Sequence, residues 1–77
     1  MELSVSFFGP IRRPWPENSR RLEVAAETTV EQLLVSLGYA AEDLRRISAV
    51  VNGRRSGPGT RLQPGDDVQF VLLAGGG

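Results

Sequence analysis

The stretch that decides the fold is TTVEQLLVSLG, residues 28–38. Val30, Leu33, Leu34 and Leu37 recur at i, i+3, i+4 and i+7, one face of an amphipathic helix. Thr29 with Gln32, or Thr28 with Glu31, has the spacing of a capping box, and Gly38 stands where a left-handed residue closes a helix. A single helix with one apolar face cannot bury that face alone. The cover must come from the flanking sequence.

On the N-terminal side, Leu3, Val5 and Phe7 alternate with Ser4, Ser6 and Phe8, the period-two pattern of a half-buried strand. Gly9-Pro10 interrupts it, and residues 14–19 (PWPENS) read as loop. Leu22 and Val24 mark a second short strand, so the two form a hairpin with a long tip. On the C-terminal side, residues 39–47 fit a turn of helix or an ordered loop. Ala49-Val50-Val51 reads as a buried strand, Asn52-Gly53 as a tight turn, and Arg54-Arg55 as a brief return. Pro64-Gly65 predicts a type II turn, and a last strand runs from Val68 to Leu73. The order strand, strand, helix, short strands, strand predicts an α+β fold, a mixed sheet of four to five strands packed on one main helix.

Composition narrows the chemistry. The 77 residues suit one domain, and nine acidic side chains balance nine basic ones, which argues against nucleic acid. The chain has no stretch apolar enough to span a membrane and no basic signal-peptide head, so a cytoplasmic location is expected and no membrane partner. There is no histidine, cysteine or lysine; all nine basic residues are arginine, eight of them in adjacent pairs at 12–13, 20–21, 45–46 and 54–55. A metal cage, a covalent nucleophile and a general base are hard to assemble from this set, so no catalytic residue, no metal site and no bound cofactor are expected. Asp66 and Asp67 follow the Pro-Gly turn directly and read as turn chemistry rather than a paired-carboxylate site.

Strand parity assigns Val68, Phe70 and Leu72 to the core with Leu3, Val5 and Phe7. Phe8, Val71 and Leu73 then form an apolar patch on the open face, a partner site. Trp15 is expected to fold back over the core edge, where its area is best used. After Leu73 the sequence switches to Ala74-Gly75-Gly76-Gly77. Glycines pass through channels closed to side chains, so residues 74–77 read as a flexible arm for insertion elsewhere.

These segments together resemble the MoaD/ThiS family of ubiquitin-like sulfur carrier proteins. The likeness lies in Val5-Ser6-Phe7-Phe8-Gly9-Pro10-Ile11-Arg12-Arg13, in Ala49-Val50-Val51-Asn52-Gly53, in Leu62-Gln63-Pro64-Gly65-Asp66-Asp67-Val68, and in the terminal Gly76-Gly77. The resemblance implies a β-grasp domain over residues 1–73 and a tail over 74–77. It also implies a co-substrate rather than an enzyme, such as the small subunit of a molybdopterin synthase-type complex. A ubiquitin-activating-type enzyme would adenylate the Gly77 carboxylate with ATP, recognising Ala74, Gly75 and Gly76. A sulfur donor would then leave a thiocarboxylate for a sulfur-accepting synthase, either a molybdopterin synthase large subunit or a thiazole synthase.

The branch is mixed. Residues 71–74 lack the proline of the MoaD branch and the triple glycine is closer to ThiS, whereas the Phe-Phe-Gly-Pro-x-Arg stretch and long first loop are closer to MoaD. That balance sets molybdopterin slightly ahead of thiamin thiazole. Two other readings use the same fold: a non-covalent β-grasp regulatory or interaction module, and a ubiquitin-like protein modifier joined through Gly77.

Overall fold

The computed structural model describes residues 1–72. Five strands and two helices follow in the order β1 (Glu2–Phe8), β2 (Ser19–Glu23), α1 (Val30–Ser36), α2 (Ala41–Leu44), β3 (Ile47–Val51), β4 (Arg54–Ser56) and β5 (Asp67–Leu72). The sheet order is β2-β1-β5-β3-β4. The last strand therefore inserts at the centre, parallel to β1 and antiparallel to β3.

Helix α1 forms where its periodicity places it. Thr29 is the N-cap: its hydroxyl accepts from the Gln32 amide at 3.1 Å, and the Gln32 side chain accepts from the Thr29 amide at 3.0 Å. The helix ends at Gly38, with φ of 96°. There the Tyr39 amide donates to the Leu34 carbonyl and the Gly38 amide to that of Val35, the paired bonds of a Schellman motif. Val30, Leu33 and Leu34 are buried against Leu3, Val5, Phe7, Val68 and Phe70. Burying each such side chain contributes about 1.5–3 kcal/mol. The remaining segment that the sequence left open contains α2, one short turn of helix. Its Asp43 carboxylate accepts from the Ala40 amide at 3.1 Å, and none of its residues is buried.

Two turns set the register. Asn52 and Gly53 both have positive φ, 52° and 82°, as a type I′ hairpin between β3 and β4 requires. Gly65, at φ 83°, occupies the third position of a turn closed by the Asp66 amide on the Gln63 carbonyl. Asn52 links the two turns. Its Nδ2 donates to Asp66 Oδ1 at 2.8 Å, and its Oδ1 accepts from the Asp67 amide at 2.9 Å. Asp66 Oδ2 also accepts from the Gln63 amide at 2.8 Å, so this buried carboxylate is occupied with turn geometry.

Trp15 lies over the core edge. It is buried, and its ring meets Phe7 edge-on at a centroid distance of 5.5 Å. The Arg20 guanidinium covers it 5.0 Å from the ring centroid. Phe7 also contacts Tyr39 and Phe70, so one phenylalanine joins the long loop, the helix exit and the central strand.

Candidate functional site

The open face of the sheet follows from register. Val5, Phe7, Val68 and Phe70 turn to the core, so the residues between them turn away. Phe8 pairs with Val71, and Val71 pairs with Ser48. Phe8 is 46% exposed, whereas Val71 is half-buried in the central strand. Val50 joins them. Ala49 and Val51 are buried, so Val50 falls on the open face, two positions along β3 from Ser48 and diagonal to Val71. The sequence reading took Val50 as part of a buried strand; a two-sided strand with one open face was the signal it lacked.

The structure thus places Phe8 and Val71 side by side. Leu73, Ala74, Gly75, Gly76 and Gly77 lie outside the described residues. Leu72 is half-buried at the end of β5, paired with Ile47. Gly9 lies against it: its φ is 85°, and a Cβ there would stand 2.8 Å from the Leu72 carbonyl oxygen. The backbone thus passes close to Leu72 only because residue 9 has no side chain, a contact that a Gly-Pro strand break does not announce.

A groove of about 290 Å³ opens beside Leu72, between Ile11, Arg12, Tyr39, Arg46 and Ile47. The Tyr39 hydroxyl donates to the Arg12 carbonyl, and the Arg12 guanidinium stands 6.0 Å from the ring centroid. Burial pushes the Tyr39 phenol up, Arg12 opposes that shift, and Asp43 adds to it. Among the described residues, no three of histidine, cysteine, aspartate and glutamate gather as metal ligands would. Nor is any helix among them long and apolar enough to cross a membrane. What this surface offers is an apolar patch, an arginine-edged groove and the end of β5 at Leu72.

A mixed sheet with its first and last strands parallel at the centre, wrapped on one main helix, is the β-grasp, ubiquitin-like class. Solved structures agree. Haloferax volcanii SAMP1 matches with a TM-score of 0.75 at 19% identity over all of both chains. The Pyrococcus furiosus protein assigned as molybdopterin converting factor, subunit 1, matches at 0.74 and 18%, covering 95% of this chain and 98% of that one. In Helicobacter pylori 26695, the complex of subunits 1 and 2 of molybdopterin-converting factor contains a chain matching at 0.65 and 23% over all of both. A search of curated proteins gave no match. The ThiS family model matches residues 5–77, nearly the whole chain and the glycine run with it, and the chain belongs to the ThiS family.

Proposed function

We propose that this chain is a sulfur carrier, with the Gly77 carboxylate as its working group. The observation that carries this reading is the family match through Gly77 on a fold whose central strand ends beside an exposed apolar patch. A carboxylate is a poor electrophile. Attack of its oxygen on the α-phosphate of ATP, held by an adenylating enzyme, forms the acyl adenylate and releases pyrophosphate. A sulfide-level donor then attacks the acyl carbon; the C–S bond forms, the C–O bond to AMP breaks, and a thiocarboxylate remains. A persulfide donor needs in addition a thiol reductant to cleave the S–S bond. The carrier contributes the terminus and the docking surface, and the partners supply the chemistry.

Phe8 and Val71 are the patch through which an activating enzyme and a sulfur-accepting synthase would hold the domain, while residues 74–77 reach the reacting centre. Four residues beyond Leu73 extend roughly 13–14 Å at most, enough to thread a channel. The two solved structures described as molybdopterin-converting factor subunits favour a molybdopterin synthase-type large subunit as acceptor over a thiazole synthase. On this reading the reaction belongs in the cytoplasm, where ATP and a sulfur donor are at hand.

Intact-mass measurement tests the reading. Incubation with an adenylating enzyme of this family, ATP and sulfide is expected to exchange one oxygen for sulfur. Deleting Gly77, or adding a residue after it, is expected to abolish the exchange. Pathway activity retained by a tail-blocked variant overturns the assignment.

A further inference from the structure

A second groove lies away from the Phe8 patch. About 530 Å³ opens between α1, α2 and the β3–β4 hairpin, floored by Val30, Leu34, Leu44 and Ile47 and bordered by Arg45 and Arg55. Two features make it a place for a strand. First, β4 is an edge strand, bonded among the described residues only to β3. In a two-residue hairpin Val51 and Arg54 exchange hydrogen bonds, so antiparallel alternation turns the Arg55 N–H and C=O outward, along the groove. Second, the charge is lopsided. Among the described residues the arginines in ion pairs are Arg20, Arg21 and Arg61, so Arg45 and Arg55 border the groove outside any ion pair, against Glu31 alone in the lining. The opposite edge, β2, has its arginines paired with Glu17 and Glu2.

We infer that the β4 edge is a second docking site, which takes an extended acidic-apolar segment of a partner protein as an added strand. Its backbone bonds to Arg55, alternate apolar side chains enter the groove, and carboxylates meet Arg45 and Arg55. Helix α2, with no buried residue, forms a wall that can shift to admit those side chains. The inference stands apart from the chemistry of Gly77, because it needs neither the tail nor its activation.

The test uses the whole chain, labelled with ¹⁵N, and a capped strand-length peptide alternating valine and glutamate. Saturable shifts are expected at Leu44, Arg45, Ile47 and Arg54–Gly57, with slowed hydrogen exchange at the Arg55 amide. Besides the charge, Arg55→Pro removes only an outward-facing backbone donor, which an edge strand tolerates, and Arg54 before it is already extended. Arg55→Gln removes the same charge and keeps the donor. Arg55→Pro is expected to abolish binding, and Arg55→Gln to weaken it by about threefold to tenfold. Equal binding by those two variants overturns the strand-addition geometry. So does equal binding of a valine-lysine peptide, or shifts centred on β2 or on Phe8 and Val71. Absence of any saturable shift overturns the site altogether.

Discussion

At the scale of single residues, Gly9 and Asn52 carry constraints out of proportion to their size. Alanine at position 9 would have to adopt φ near 85° and place its Cβ against the Leu72 carbonyl, and backbone cannot move aside as a side-chain tip can. Gly9→Ala is expected to lower stability by about 2–3 kcal/mol in urea unfolding. Asn52→Ala loses both the left-handed preference and the bonds to Asp66 and Asp67, for about 2–3 kcal/mol. Asn52→Gly keeps the turn, so the difference between the two variants reads the backbone share. Tyr39 gives a pH signature. Its phenol is raised by burial, so above about pH 10 the unfolded chain ionises first and binds fewer protons than the native state. Stability is therefore intact below that pH and falls as pH rises towards the native value. Absorbance at 295 nm isolates this group, because the chain has one tyrosine. Midpoints for native and unfolded chain that coincide would remove the effect. The turn residues were legible from sequence because Asn-Gly and Pro-Gly encode φ locally. The Gly9–Leu72 approach was not, because it joins residues more than sixty positions apart.

At the scale of elements, α1 was the most readable part. Its periodicity, N-cap and terminal glycine are all local, and the structure uses each of them. Thr29→Ala is expected to cost about 1 kcal/mol, and Thr29→Ser to restore most of it, measured by denaturant midpoint. An alanine variant as stable as the parent would mean that burial of Val30, Leu33 and Leu34 alone fixes the start of the helix. The short elements were harder. Helix α2 has no fully buried residue and only Leu44 half-buried, too little for a periodic trace, whereas β3 begins at Ile47 rather than Ala49 because Ile47 and Ser48 pair with Leu72 and Val71. Pairing with a strand twenty residues on extends β3 past its apolar run. For the same reason, the groove beside β4 was invisible in the sequence: it is a space between elements, and no residue spacing records it.

At the scale of the whole molecule, parity along β1 and β5 was enough to separate Phe8 and Val71 from the core, although β5 keeps its alternation only through Phe70: Leu72, expected in the core, is half-buried where the strand ends. Which residues join them depends on strand order, and only the central insertion of β5 brings Val50 near Val71. Among the described residues two large apolar side chains, Phe8 and Val35, are exposed on different elements. That provides a controlled comparison. Phe8→Ser removes an exposed ring and is expected to change unfolding stability by less than about 1 kcal/mol. If the open face docks the activating enzyme, the same substitution slows thiocarboxylate formation by about tenfold or more, as loss of a central aromatic contact does. Val35→Ser, on α1 at 55% exposure, is expected to leave that rate unchanged. The pair distinguishes docking from a general loss of apolar surface. A Phe8→Ser chain that is converted at the parental rate would place the docking surface elsewhere, while leaving the role of Gly77 to its own mass test.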